Sequence, residues 1–276
     1  MTPLLTAETC RQLANARDAG LSELECTLDL QRSLSKVNIT VSYWESEGAR
    51  YTYLDGGKER TVYAWMNGGF EPVSRYRDSL IKLVPTPWGA PTFEIDGIKM
   101  LPSAERSPYT DAEHKVKKLK TRGKAVLDCC GGLGYFAAWC LLEGATAVHS
   151  FEKNPDVMWL RSLNPWSPAT HARLRLQEGD VAHAIETLPA RSYDVVLHDP
   201  PRFAIAGDLY SENFYRQLAR VIKPRGMLFH YTGAPNKIAR GRDLAAEVLR
   251  RLAAVGFDAH KDGDGVVGRR VATLMA

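Results

Sequence analysis

Ala125-Val-Leu-Asp-Cys-Cys-Gly-Gly-Leu-Gly134 is the stretch on which the reading of this 276-residue chain turns. Three apolar residues run into Asp128, and Gly131, Gly132 and Gly134 follow before the apolar run Tyr135–Leu142. That pattern predicts a short buried strand, a tight glycine turn and a helix. Glycines let a backbone approach a ligand closely, and a helix start offers N–H groups that no helical carbonyl takes. Asp128 at the strand end narrows the ligand, because a fixed carboxylate suits an ammonium group better than a pyrophosphate.

Working outward, strands are expected at 147–151, 174–177, 194–197 and 227–231, with helices at Pro155–Leu163, 181–187, 212–222 and Leu244–Ala254. Strands alternating with helices imply a parallel sheet covered on both faces. Segments 257–260 and 266–274 flank Asp262-Gly-Asp-Gly265 and read as a closing antiparallel hairpin. The expected fold class is α/β, a doubly wound and mostly parallel sheet. Upstream, 6–19 reads as a helix capped by Thr6 and stopped by Gly20. Segments 36–44, 50–54 and 60–66 read as strands and 75–83 as a helix. Pro85-Thr-Pro-Trp-Gly-Ala-Pro91 is a breaker cluster. The expected organisation is a smaller α+β accessory or substrate domain over 1–90, a linker with a basic helix over 91–123, and a cofactor-binding domain over 124–276.

Composition is that of a globular protein, 45% hydrophobic and 25% charged. No apolar run approaches the roughly 18–20 residues of a spanning helix. The first twenty residues lack a basic segment followed by an apolar one, so a soluble, cytoplasmic protein is expected. Five cysteines without a C-x-x-C spacing predict neither a disulfide framework nor a metal site. The net charge is +4, and residues 96–124 hold eight basic against four acidic residues. The tract His114–Lys124 is either a solvated helix face or a phosphate-contacting one.

Three further motifs follow the strands. Glu152 lies 18 residues after Gly134, where an acid accepts hydrogen bonds from ribose hydroxyls. Asp180 follows the third strand, where an acid meets the adenine amino group; Lys153 and Val181 adjoin these two acids and are grouped with them. The fourth strand runs into His198-Asp-Pro-Pro-Arg-Phe203. Pro200 and Pro201 stiffen the exit, leaving Asp199 at the carboxyl edge to accept or remove a proton from an attacking amine. Arg202 can pair with an anionic group, Phe203 can stack on a planar one, and His230 follows the fifth strand toward the same crevice. Asp208, Tyr210 and Tyr215 are candidates for a substrate lid.

On these residues the segment 124–276 resembles a class I S-adenosylmethionine-dependent methyltransferase. The tracts Asn164-Pro-Trp-Ser167, His198–Phe203, Ala206-Gly-Asp-Leu-Tyr210, His230-Tyr-Thr-Gly233 and Arg240-Gly-Arg-Asp243 resemble a largely archaeal group of predicted methyltransferases. That group is similar to spermidine synthases and to the methylating half of the enzyme that modifies the tRNA wobble uridine. Phe93-Glu-Ile-Asp-Gly-Ile-Lys-Met100 is similar to part of it as well. The resemblance implies a Rossmann-like sheet and S-adenosyl-L-methionine held by Asp128, Gly131, Gly132, Gly134, Glu152, Lys153, Asp180, Val181 and Asp199. It implies Asp199, His198 and Tyr210 as catalytic, Pro200, Arg202, Phe203 and His230 on the substrate side, and methylation of an amine nitrogen of a small molecule or a tRNA nucleoside. A homodimer is compatible with it, and a metal or membrane partner is not expected. The chain departs from the family pattern at Cys130, which stands at the first glycine position, and at Arg202, which separates the proline pair from Phe203. Three alternatives stay open: aminopropyl transfer from decarboxylated S-adenosylmethionine, NAD-dependent oxidation-reduction (Gly132-Leu-Gly-Tyr-Phe-Ala137 also fits G-x-G-x-x-A), and a non-catalytic binding protein.

Overall fold

The computed structural model describes residues 2–201, 207–233 and 243–272. The chain divides into two compact units: residues 1–111 with 159–167, and residues 112–158 with 168–276. Elements from Pro108 onward are numbered here. The strands are β1 (Ala125–Asp128), β2 (Ala147–Glu152), β3 (Leu174–Glu178), β4 (Tyr193–His198), β5 (Ile222–Tyr231), β6 (Phe257–Asp262) and β7 (Gly265–Arg270). The helices are α1 (Pro108–Leu119), α2 (Tyr135–Leu142), α3 (Pro155–Leu163), α4 (Val181–Ala184), α5 (Glu212–Val221) and α6 (Leu244–Ala254).

The seven strands form one sheet in the order β3-β2-β1-β4-β5-β7-β6. β1 to β5 are parallel, and β7 pairs antiparallel with both β5 and β6. The expected doubly wound sheet and closing hairpin are therefore present; residues 273 and 274 of the expected hairpin lie outside the described residues. Alternation along the strands sends Leu127, Phe151, Val196 and Leu228 into one cluster with Phe214, Tyr215 and Leu218 of α5 and Val248 and Leu252 of α6. β5 begins five residues before the expected strand. Lys223-Pro-Arg-Gly226 forms a bulge there, with Arg225 at φ +65°, and the register with β4 shifts between Tyr193 and Val195.

In the first unit, Thr6 caps the helix Ala7–Asp18, its hydroxyl accepting from the Thr9 N–H at 3.3 Å. Three small antiparallel sheets follow. Two expectations are corrected. Segment 36–44 is two strands, Ser35–Ile39 and Trp44–Ser46, because Thr40 closes a turn between them through hydrogen bonds to the Tyr43 backbone. Segment 75–83 is a hairpin of Ser74–Tyr76 and Leu80–Val84 and not a helix, since Ile81 and Leu83 are buried at period two. Pro85–Pro91 joins Leu80–Val84 to its antiparallel neighbour Thr92–Ile95. Segment 159–167 completes this unit: the Trp166 indole donates to the Leu30 carbonyl at 2.9 Å, and Trp166 meets Tyr109 edge to face. Among the described residues no helix is long and apolar enough to cross a membrane.

A Cβ added at Gly226 would lie 2.7 Å from Ile222 Cγ1 and 2.9 Å from the carbonyl oxygens of Asp194 and Lys223. Backbone oxygens of a sheet cannot retreat, so Gly226→Ala is expected to destabilise the protein by about 1–3 kcal/mol. Gly69→Ala, with no described atom within 4 Å of the added Cβ, serves as the near-neutral control. Urea unfolding midpoints of the two variants check this.

Candidate active site

The strand order reverses between β1 and β4, and a doubly wound sheet opens its crevice at the carboxyl ends on either side of such a point. Asp128 ends β1 and is aligned with Ser150 on β2 and Leu197 on β4. Its carboxylate is buried, with Oδ2 accepting from the Ser150 hydroxyl at 2.7 Å. The glycine turn follows. The Gly131 N–H donates to the Phe151 carbonyl at 2.7 Å, and the Gly134 N–H donates to the Gly131 carbonyl at 2.7 Å. Gly132 and Gly134 stand at φ +50° and +83°, a conformation costly for any side chain with a Cβ. Gly134 is also the N-cap of α2, so no side chain covers that helix start.

Glu152, at the end of β2, spans two loops. Oε2 accepts from the Gly132 N–H at 2.9 Å and Oε1 from the Asn154 N–H at 2.8 Å. Asp180 caps α4 through the Ala182 N–H at 2.9 Å and holds Lys153 at 2.7 Å. Burial alone would raise the Asp180 carboxyl; the Lys153 ammonium and the Ala182 amide outweigh it and keep the group below its ordinary range. Lys153 is 74% exposed, and the Val181 side chain is buried in the core.

Asp199 follows β4 directly and is half-buried. Burial pushes the Cys130 thiol well up, and the charges of Cys129, Glu152, Asp128 and Asp199 push in the same direction. The Tyr210 hydroxyl is pushed up by burial, then by Tyr215, Asp199 and Cys130, and it donates to the Pro201 carbonyl at 3.1 Å. Asp128, Glu152, Asp199, Cys130 and Tyr210 thus share one neighbourhood. Arg202 and Phe203 lie outside the described residues.

His198 and His230 occupy a different layer. They are aligned on β4 and β5, their rings meet edge to face at 4.5 Å, and both are fully buried. His198 Nε2 bonds the Leu209 carbonyl at 3.1 Å, and His230 Nδ1 bonds the Tyr231 carbonyl at 2.8 Å. A carbonyl only accepts, so each of those nitrogens carries the proton, and the Tyr215 hydroxyl donates to His230 Nε2 at 2.8 Å. Burial lowers His198 to about 4 and, with His198 as neighbour, lowers His230 well below its ordinary value. Both are neutral at pH 7 and pack toward α5, where the Phe214 ring lies 5.0 Å from His198.

The basic tract is largely engaged within the protein. Lys117 pairs with Glu113 and Lys118 with Asp262, each at 2.5 Å. Buried Lys115 pairs with Asp264 at 3.4 Å, and Lys124 Nζ donates to the Leu119 carbonyl at 3.1 Å. Sequence reasoning missed Ser150 as the partner of Asp128; the available signal was a hydroxyl inside the buried run Val148–Phe151. It also missed the Tyr215–His230 bond, which only the pairing of β5 with α5 reveals.

A doubly wound domain with an acid after each of four strands and a glycine turn after the first defines a nucleoside-cofactor site of the transferase kind. Residues 151–276 match the family model described as S-adenosyl-L-methionine-dependent methyltransferase. An uncharacterized protein of Methanocaldococcus jannaschii is 36% identical over 264 residues, covering 92% of this chain and 89% of its own. The chain belongs to the S-adenosyl-L-methionine-dependent methyltransferase family. A polyamine aminopropyltransferase of Streptomyces coelicolor is 39% identical over 117 residues, which is 39% of this chain and 21% of that protein. The solved spermidine synthase of Thermotoga maritima shares the fold, with a TM-score of 0.56 and 19% identity over 71% of each chain.

The residues fit S-adenosyl-L-methionine. Carboxylates at the carboxyl ends of three adjacent parallel strands make a negative edge suited to a sulfonium and an ammonium, and Glu152 is held by backbone amides where ribose hydroxyls would be accepted. Glu152→Ala is expected to weaken binding of S-adenosyl-L-methionine by about 1.5–3 kcal/mol, the worth of hydrogen bonds to a charged group, measured by calorimetry. The buried histidines make a pH prediction. A histidine whose folded value lies below its unfolded one contributes stability above about 6.5, and this is lost as pH falls toward 4. At pH 5 the His198 contribution to this loss is about 2 kcal/mol. Tm measured from pH 7 to 4.5 should fall less steeply in His198→Gln than in the wild type.

Proposed function

We propose that the protein transfers the methyl group of S-adenosyl-L-methionine to an amine nitrogen of a small molecule. The observation that carries this reading is Asp199, half-buried directly after β4, with its charge felt by Cys130 and Tyr210 and, at Cys130, joined by those of Asp128 at the end of β1 and Glu152 at the end of β2. When bound, the cofactor supplies an electrophilic methyl group on a positive sulfur. Asp128 would hold its ammonium group, Glu152 its ribose hydroxyls and Asp180, braced by Lys153, its adenine amino group. Asp199 then belongs to the acceptor. Its carboxylate accepts an N–H of the amine, aims the nitrogen lone pair, and takes the proton that the new N–C bond makes acidic. Pro200 and Pro201 stiffen the segment carrying Asp199, and Tyr210 steadies it through the Pro201 carbonyl. Arg202 and Phe203 complete the acceptor side in this reading, pairing with an anionic group and stacking on a planar one. His198 and His230 support the crevice from beneath as neutral, hydrogen-bonded rings.

A small acceptor is favoured over a tRNA nucleoside by the state of the basic tract. Affinity for a phosphate backbone comes from cations that neutralise phosphates. Here Lys117 and Lys118 already neutralise Glu113 and Asp262, and Lys115 is buried away from any backbone-sized ligand. The second reading is aminopropyl transfer, favoured by the likeness to the Streptomyces aminopropyltransferase and to the spermidine synthase fold. The two differ in what is consumed and released: methyl transfer leaves S-adenosylhomocysteine, whereas aminopropyl transfer consumes decarboxylated S-adenosylmethionine and leaves methylthioadenosine. Incubation of the protein with each donor and a panel of amines, with both nucleoside products quantified, tests the proposal; methylthioadenosine as the enzymatic product overturns it. With an acceptor in hand, Asp199→Asn is expected to leave cofactor affinity within a few fold and to lower turnover by about 10²–10⁴, the range for a lost positioned base.

A further inference from the structure

We infer that Lys115 is the residue that distinguishes S-adenosyl-L-methionine from its decarboxylated form, by meeting the carboxylate of the cofactor's amino acid end. This rests on the methyl-transfer reading and deepens it. Lys115 lies in the second half of α1 and is 3% exposed. Burying an ammonium group is costly unless charge and polarisable surface surround it. Around this one stand the rings of Tyr231 at 4.6 Å, Phe229 at 5.6 Å and Phe136 at 5.9 Å, and the Asp264 carboxylate at 3.4 Å.

Those partners mark the place. Phe136 is the second residue of α2, two positions beyond the left-handed Gly134. Tyr231 is the last residue of β5, at the edge of the sheet where Asp128 ends β1. Asp264 precedes Gly265, which pairs with Tyr231. Helices α1 and α2, the end of β5 and the β6–β7 turn therefore bring their side chains together around Lys115, at the edge of the sheet where β1 also ends.

Charge then assigns the role. The amino acid end of the cofactor carries one ammonium and one carboxylate group, and Asp128 supplies the anion for the first. Among the described residues of this unit, Lys115 is the buried cation. The Lys153, Lys223 and Arg251 side chains all keep some exposure to water, whereas that of Lys115, which meets Asp264, keeps almost none. Aromatic walls lower the local dielectric, which strengthens a charge pair formed there. The decarboxylated cofactor has no carboxylate to offer and brings only positive charge, so a fixed ammonium group gains nothing from it and repels it. A chain that shares its fold with a spermidine synthase is in this way committed to the intact cofactor.

Calorimetry with the full chain and four probes tests this: S-adenosyl-L-methionine, S-adenosylhomocysteine, decarboxylated S-adenosylmethionine and 5′-methylthioadenosine. The wild type should bind the first two about 10- to 100-fold more tightly than the third, the worth of a charge-assisted hydrogen bond. Lys115→Met, close in volume and uncharged, should bring that ratio to within about threefold while leaving methylthioadenosine unchanged. Lys115→Arg should retain the ratio. If Lys115 only braces the fold, Lys115→Met will weaken all four probes together and the ratio will persist, which overturns the inference while leaving the methyltransferase reading intact. Equal wild-type affinity for the intact and decarboxylated forms overturns it without any variant. Failure of the underlying reading looks different, because then no probe binds or the decarboxylated form binds best.

Discussion

Like charges gathered on one edge of a sheet repel, and the architecture around the crevice answers that repulsion. Asp128, Glu152 and Asp199 end or follow parallel strands, so the sheet itself delivers three carboxylates to one neighbourhood. Each of the first two is met by donors that need no counter-cation: the Ser150 hydroxyl for Asp128, and the Gly132 and Asn154 amides for Glu152. Hydrogen bonds to an ionised group are shorter and stronger than neutral ones, and backbone amides lose no side-chain entropy in making them. The glycine turn therefore has two tasks. It lets a ligand approach, and it turns the Gly132 N–H onto the end of the neighbouring strand. Burial first, and the negative field with it, also raise the Cys130 thiol, which stands where the family pattern has its first glycine. A thiolate is the reactive form of cysteine, and this thiol is held firmly protonated.

Much of this was legible in the sequence because a parallel strand with an acid at its carboxyl end writes itself as an apolar run followed by one charge. Asp128, Glu152 and Asp199 carry that signature, Asp180 follows the mixed edge strand Leu174–Glu178 and is marked only by its position after it, and the sheet order then follows from the rules of doubly wound folds. Period two places residues on alternate faces but does not say which face is the crevice, so the interior setting of His198 and His230 needed the pairing of β4 with β5 and the position of α5. The tract His114–Lys124 was opaque for another reason. A run of lysines is written identically whether its charges meet water or meet Asp262 and Asp264, and those acids lie some 145 positions along the chain. In the first unit, short strands joined by local Thr and Asp turns have little periodicity to read, so the sequence of residues 75–83 suggests a helix where the chain forms a hairpin.

The two histidines show how a sheet can carry polar side chains in its core without charge. Each has its proton-bearing nitrogen on a backbone carbonyl, and His230 gives its second nitrogen to Tyr215. The 3₁₀ turn Gly207–Tyr210 is tied from two directions: His198 bonds the Leu209 carbonyl, and Arg251 of α6 bonds the Tyr210 carbonyl. The Tyr210 hydroxyl passes that anchorage to Pro201, two residues after Asp199. Rigidity beside Asp199 thus originates partly in His198 and Arg251, well back from the strand end.

Segment 159–167 has a consequence for biosynthesis. It belongs to the first unit, yet it is encoded after β1, α2 and β2 of the second. A ribosome releases residues in order, so the nascent first unit lacks Trp166, the donor to the Leu30 carbonyl, until two strands of the other unit have already emerged. The units cannot mature one after the other, and no single cut separates them: a fragment ending at residue 111 leaves its own final piece behind. Any split of this protein for expression, or any natural fusion partner, must respect a chain that crosses between its two units three times.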